Sequence, residues 1–351
     1  MRISKYLVYI DMNKIQIEDF EKFASSFELA KDLEGTRFLI TGATGLIGSS
    51  LVRALLALHR EISITCPVRN LEKARTMYAA DADKIEFIEC DLLTYLLELK
   101  PDNVFQYIVH CASPTAGSYM VAHPVETYEL AFESTSLLLK HAHATDACGM
   151  VYVSSLEYYG QMFDDRIITE DMMGYVDMAS PRSSYPLGKQ AAEYLCFAYA
   201  HEYGVKVKAA RLTQTFGAGI AATDNRVFAQ FARSIIDNQD IILHTSGESA
   251  KPYCYTTDCI SAILYILLKG EKGEAYNVAN EDTYISIKEM AEFLRDHFNP
   301  QIEVRLEFHP EMGYAPVTKL HLSTEKLRSL GWTPKYDLKA MYANLINSMK
   351  V

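Results

Sequence analysis

The chain has 351 residues, 49% of them hydrophobic, which is enough to bury a substantial core in one large domain or in a large and a small one. Its formal net charge of -11, with no segregated Lys/Arg cluster, excludes nucleic acid as an expected partner, because an acidic surface repels phosphates. The seven cysteines are odd in number, scattered and without a C-x-x-C pair, so a reducing compartment is a simpler reading than a disulfide or zinc framework.

Residues 1–35 read as an N-terminal extension made of a short strand and an amphipathic helix, with Phe20, Phe23, Phe27 and Ala30 near helical spacing, suited to packing or to contact with a second copy. Its first residues, interrupted by Arg2, Lys5 and Asp11, do not make a secretory signal, and no later apolar run reaches a membrane-spanning length. A cytoplasmic location without a membrane partner is therefore expected. From Arg37 onward, short β-branched and aromatic runs (38–41, 62–66, 85–89, 105–110, 150–154, 205–211) alternate with helical patterns such as 46–58, 124–145 and 185–203. That order predicts βαβ units and an α/β fold, a Rossmann doubly wound parallel sheet forming the dinucleotide-binding and catalytic core over 36–215. Farther on, short strands (241–244, 275–278, 303–308) lie between helices (226–238, 258–268, 287–297), so 216–351 reads mainly as a smaller substrate-binding C-terminal α/β lobe.

The first strand leads into Thr41-Gly42-Ala43-Thr44-Gly45-Leu46-Ile47-Gly48 and then a helix. Glycines in that context permit a tight turn, close backbone approach to a pyrophosphate and close helix packing, while the helix N-terminus offers unpaired N–H groups to its charge. Gly42, Thr44, Gly45, Leu46, Ile47 and Gly48 are thus candidate cofactor ligands, joined by Asp91-Leu92 after the third strand, where an Asp can accept from an adenine amino group. The second strand ends in Cys66-Pro67-Val68-Arg69-Asn70, without the acid that would accept from a ribose 2′-OH. This points towards NADP, with Arg69 either the partner of a 2′-phosphate or a solvated loop arginine. The cofactor is expected to be NAD or NADP.

Tyr185 and Lys189, four apart at the start of a helix, share one face. A nearby ammonium and an oxidised nicotinamide both favour phenolate, making Tyr185 a candidate general base for a carbinol proton, with Ser154-Ser155 at the end of the preceding strand. His110, His141, His143 and His201 lack a metal-ligand arrangement with carboxylates or cysteines, and no metal is expected.

Thr41-Gly42-x-x-Gly45-x-x-Gly48, His110-Cys111-Ala112-Ser113, Val153-Ser154-Ser155-x-Glu157-x-Tyr159-Gly160, Tyr185-x-x-x-Lys189 and Arg211-x-x-Gln214-Thr215-Phe216-Gly217 together resemble the extended short-chain dehydrogenase/reductase family, the NAD-dependent epimerases and dehydratases of nucleotide sugars. The resemblance implies that Ser155 hydrogen-bonds the sugar oxygen being oxidised, that Tyr185 takes its proton, and that Lys189 holds the nicotinamide ribose and tunes Tyr185. It also implies Ala112 and Ser113 beside the cofactor, and Pro114, Gln214, Arg226 and Lys251 beside a nucleotide-sugar substrate. A homodimer through two helices, including 124–145 and 185–203, is a further family expectation.

Within the family, Ala112-Ser113-Pro114, His123-Pro124-Val125-Glu126-Thr127, Ser180-Pro181-Arg182-Ser183-Ser184-Tyr185 and the acidic Glu157 look most like UDP-glucuronate decarboxylases. Two positions depart from that pattern: an arginine expected after Phe216-Gly217 is Gly219, and one expected before Tyr253 is Lys251. Neither replaces a planar guanidinium equivalently. Dehydratases acting on dTDP-glucose carry an Asp-Glu pair in the Ser155 segment, and Leu156 at its first position argues against that reaction. The alternatives left open are a nucleotide-sugar 4-epimerase, an NADPH-dependent carbonyl reductase and a noncatalytic dinucleotide sensor, the last opposed by the joint presence of Ser155, Tyr185 and Lys189.

Overall fold

The computed structural model describes residues 12–221, 223–308 and 317–350; the short strand expected ahead of the first helix lies outside the described residues. Seven strands form the central sheet: β1 (Arg37–Thr41), β2 (Ser63–Val68), β3 (Ile85–Glu89), β4 (Tyr107–His110), β5 (Gly149–Ser155), β6 (Val207–Leu212) and β7 (Ala275–Val278). They lie in the order β7-β6-β5-β4-β1-β2-β3, every neighbouring pair parallel. Parallel strands covered on both faces must be apolar at successive positions, as Phe38, Leu39 and Ile40 of β1 are, all fully buried. Helices Leu46–Ala57 and Thr256–Lys269 close one face, while Leu92–Glu98, Pro124–Ala144 and Ser184–Glu202 close the other. Strand order reverses between β1 and β4, which opens a crevice at their C-terminal ends.

The chain leaves this body after Phe216 to build a second core from Val227–Ile236, Ile287–Phe298 and Leu338–Met349, where Phe228, Phe231, Met290, Leu294, Met341 and Tyr342 meet. It does not stay there. Thr256–Lys269 and β7, expected among the C-terminal elements, return to the central body: all four residues of β7 are buried and pair with β6. A strand buried on both sides finds its partner in the sheet, whatever its distance along the chain.

The N-terminal helix, Lys14–Ser26, begins with a capping box between Asn13 and Gln16. Phe20 and Phe23 from its inner face, and Phe27 just beyond it, are buried in the same apolar core as the sheet, and each such ring contributes roughly 1.5–3 kcal/mol of burial. The helix touches Leu46–Ala57, Thr256–Lys269 and Leu338–Met349, and so ties the two cores together. Asp19, buried on the same face, accepts from the hydroxyls of Tyr255 and Tyr336 and from Asn344 Nδ2.

Candidate active site

Thr41 and His110 end β1 and β4 side by side at the crevice. There the chain turns through Gly42, at a φ of 72°. A Cβ on Gly42 would stand 2.8 Å from the Ala112 nitrogen, and one on Gly48 2.3 Å from the Gly42 oxygen, so only glycine fits either position. Thr44 lies half-buried between them. The Leu46–Ala57 helix starts from Gly45 without a side-chain cap and without an acid in its first turn. Its first N–H groups, those of Leu46, Ile47 and Gly48, therefore await an outside acceptor. The turn is braced from below: the Tyr78 hydroxyl donates to Ala43 O at 2.6 Å, and Thr41 Oγ1 accepts from Ala112 N at 3.2 Å. A glycine cradle against a bare helix N-terminus fits the pyrophosphate of a dinucleotide.

His110 lies between Thr41 Oγ1, 2.7 Å from Nδ1, and Ser134 Oγ, 2.9 Å from Nε2. Burial, and then Lys189, push its pKa down to about 3, so the ring is neutral. It braces the floor of the crevice.

β5 ends in Ser155, whose Oγ accepts from Glu157 N–H at 3.2 Å and caps the 3-10 turn Leu156–Tyr159. The Ser184–Glu202 helix starts alongside, with Tyr185 and Lys189 one turn apart; Lys189 Nζ donates to Val153 O at 2.8 Å and stands 5.6 Å from the centre of the Tyr185 ring. Burial, with Glu157 adding to it, pushes the Tyr185 phenol up to about 12, while the Ser155 hydroxyl, the Arg182 charge and the Ser113 hydroxyl draw it down. Ser113 Oγ is near enough to exert that pull, yet it is buried without a partner at good hydrogen-bond geometry among the described residues. Lys189 is itself loosened by burial to about 8, and Arg182 rather than Lys189 is the principal cation favouring the phenolate.

Behind this cluster a buried network fixes the Ser155–Gly160 backbone. Arg211 donates to Glu193 and, from Nη1, to Tyr159 Oη at 2.9 Å, and Tyr159 in turn donates to Asn277 Oδ1 at 2.6 Å. Glu193 sits one turn beyond Lys189, so the same ion pair anchors the helix that carries Tyr185 and Lys189.

The other sequence candidates are placed unevenly. Ala112, Ser113 and Pro114 follow β4, half-buried, at the crevice. Asp91 caps the helix that Leu92 opens, accepting from Thr94 N at 3.1 Å. Arg69 is exposed beyond the end of β2. Gln214 pairs beside Tyr253, two residues from Lys251, in a small sheet at the edge of the crevice. Arg226 pairs with Asp224, its Nη2 2.6 Å from Oδ2. Sequence reasoning gave no role to Arg182, although its place three residues before Tyr185 on the helical approach was a usable signal: its Nη2 donates to both Glu157 oxygens, at 2.9 and 2.6 Å. Among the described residues no group of His, Cys, Asp or Glu could hold a metal ion, and no helix is long and apolar enough to cross a membrane. All seven cysteines are free.

A doubly wound sheet with a glycine cradle, and a Ser, Tyr and Lys gathered beside it, defines a dinucleotide-dependent enzyme of the short-chain dehydrogenase/reductase type. The chain matches the model of the NAD dependent epimerase/dehydratase family over residues 38–279, and it belongs to that family. It is thus an enzyme of the NAD-dependent epimerase/dehydratase class. It is 27% identical to UDP-glucuronic acid decarboxylase 5 of Arabidopsis thaliana over 86% of each chain. It is 25% identical to UDP-glucuronic acid decarboxylase 1 of Danio rerio over 86% of this chain and 70% of the relative. The fold is shared with the UDP-glucose 4-epimerase of Thermotoga maritima solved with UDP-glucose, at a TM-score of 0.76 and 19% identity over 90% of this chain and 98% of the other. It is likewise shared with the dTDP-glucose 4,6-dehydratase of Bacillus anthracis in complex with NAD, at a TM-score of 0.74 and 20% identity over 90% and 97%.

Proposed function

We propose that this enzyme transiently oxidises C4 of a nucleotide-linked sugar and acts as a UDP-glucuronate decarboxylase. The observation that carries the reading is the meeting of Ser155, Glu157, Tyr185 and Lys189 at the end of β5, next to the glycine cradle. Gly42, Thr44, Gly45, Leu46, Ile47 and Gly48 would hold the pyrophosphate, Asp91 and Leu92 the adenine end, and Ala112, Ser113 and Lys189 the nicotinamide end. When bound, the oxidised dinucleotide supplies a hydride acceptor and a positive charge.

The chain's own part is proton handling and orientation. Ser155 Oγ and the Tyr185 phenol close on the C4 hydroxyl, and Tyr185 takes its proton. Ser155, Arg182 and Ser113 favour the phenolate, while Glu157 raises its affinity for a proton, so the same group is poised to return one. A C4 ketone lies β to the C5 carboxylate: the C5–C6 bond breaks, CO2 leaves, and the electron pair passes into the ketone oxygen until C5 is protonated; C4 then regains its hydride while Tyr185 returns the proton to its oxygen, so the cycle is redox-neutral. Gly219 supports a second reading, because it stands where the decarboxylase pattern has an arginine and a 4-epimerase requires none there.

Purified full-length protein incubated with UDP-glucuronate is expected to release CO2 without net accumulation of reduced dinucleotide, and Tyr185→Phe is expected to lose this activity by about 10²–10⁴-fold while keeping its bound nucleotide. Inversion at C4 without CO2 would establish the epimerase instead. Unchanged turnover in Tyr185→Phe would remove the assigned base.

We also propose a homodimer. The outward faces of Pro124–Ala144 and Ser184–Glu202 carry Tyr128, Leu187, Tyr194 and Phe197 along an apolar groove completed by Met173 and Met178, a surface suited to the same helices of a second copy.

A further inference from the structure

We propose that Arg182, assisted by Lys251, is the seat of a carboxylate on the reacting sugar, so that the substrate class is a nucleotide-linked uronate. The inference deepens the nucleotide-sugar reading above and rests on it. Arg182 lies in the 3-10 turn Pro181–Ser183, directly before the helix that carries Tyr185, and its guanidinium carbon is 5.6 Å from the centre of the Tyr185 ring. Nη2 is held by both oxygens of Glu157, but Nη1 is buried and meets no acceptor among the described residues. A guanidinium held at one nitrogen presents its neighbour in a fixed direction, and a buried N–H without an acceptor calls for one.

Lys251 supplies a second cation from the strand Ala250–Tyr255. Burial lowers its proton affinity and Glu157 opposes that shift, which puts its ammonium in the field of the same carboxylate; it makes no hydrogen bond with any described residue. Two cations thus share one acid, leaving positive charge for one further anion.

Position decides which anion. The nucleotide diphosphate hangs from C1, across the sugar ring from C4, whereas the substituent on C5 is next to the hydroxyl that Tyr185 and Ser155 grip. An anion-seeking N–H over the Tyr185 ring is therefore placed for a C5 carboxylate. With Gly219 and Lys251 standing where the decarboxylase pattern has arginines, Arg182 is the guanidinium of that pattern that this chain keeps beside Tyr185.

The test uses the full-length Tyr185→Phe protein saturated with NAD or NADP, so that binding is read without turnover. Calorimetric titration with UDP-glucuronate, UDP-glucose and UDP is expected to show the uronate bound at least about tenfold more tightly than UDP-glucose, the scale of one charge-assisted hydrogen bond. Arg182→Met in that background should bring the ratio to within about twofold of unity while UDP and UDP-glucose change by less than about twofold, with Arg182→Lys intermediate. Lys251→Met should shift the ratio in the same direction by less. If Arg182→Met does not fold, Glu157→Gln takes its place: removing the competing acid should tighten the uronate several-fold and leave UDP-glucose unchanged. An unaltered uronate preference in Arg182→Met, an equal loss for all three ligands, or weaker uronate binding in Glu157→Gln would overturn the seat while the nucleotide-sugar reading stands. Failure of the unsubstituted background to bind any of the three would overturn both.

Discussion

Tyr185 sits in a balance of neighbours whose signs can be told apart. Burial and Glu157 favour the phenol, whereas Ser155, Arg182 and Ser113 favour the phenolate. Arg182 and Glu157 are partners in one ion pair, yet they act on Tyr185 in opposite directions. If phenolate is the working base, turnover at saturating substrate rises with pH as the phenol ionises. Removing Arg182 takes away a cation that stabilises the phenolate, so the rising limb of kcat against pH should move to higher pH in Arg182→Met. Removing the charge of Glu157 should move it to lower pH in Glu157→Gln. Breaking an ion pair for structural reasons alone would move both limbs alike or neither, so pH profiles of the two variants separate tuning from scaffolding.

The N-terminal helix has its own titrating anchor at the scale of the element. Asp19 is buried against Tyr255 and Tyr336, and burial raises its pKa from 3.8 to about 6 despite those hydrogen bonds. The folded state therefore holds this proton more tightly than the unfolded chain does, and between pH 3.8 and about 6 it binds the larger share of a proton. Stability from this group is present at low pH and declines as pH rises through that window, by on the order of 3 kcal/mol at about 1.4 kcal/mol per pH unit. Asp258, raised in the same sense, adds a parallel slope that a single substitution at Asp19 leaves in place. Asp19→Asn keeps an acceptor for the two tyrosines and removes the titration. Calorimetric melting at pH 4.5 and 7.5 should then show Tm falling less in Asp19→Asn than in the native chain; equal falls would mean that Asp19 ionises in the fold as it does in water.

At the scale of the whole molecule, the sequence displayed whatever depends on neighbours along the chain. The six strands from β1 to β6 were readable as short apolar runs, the glycine turn from its place between a strand and a helix, and Tyr185 with Lys189 from helical spacing. Non-local pairings were hidden: β7 meets β6 only after the excursion through the second core, and Arg182 meets Glu157 from 25 positions farther along the chain. The pairing of Arg226 with Asp224, two residues away, is local and was open to anticipation. The amphipathic pattern of the first helix revealed an apolar face but not which surface would cover it, and that surface proved to be the chain's own core. The long helices of the opposite layer still present such a face. Pro124–Ala144 and Ser184–Glu202 pack closely where Gly188 meets Ala131, its added Cβ only 3.2 Å from the alanine Cβ. Beyond that contact Tyr194 remains 70% exposed and Met178 75%, an area of apolar surface that a monomer would leave in water. Two copies related by a two-fold axis would cover it with like surface, and because Tyr185 and Lys189 ride on one of the paired helices, assembly would also stiffen the catalytic pair. The native chain should sediment as a dimer at micromolar concentration, and Tyr194→Glu, which places a charge in the middle of that face, should shift it towards monomer with a larger loss in kcat than rise in KM. A native monomer, or a Tyr194→Glu dimer with unaltered kinetics, would show that these helices hold the site rigid by themselves.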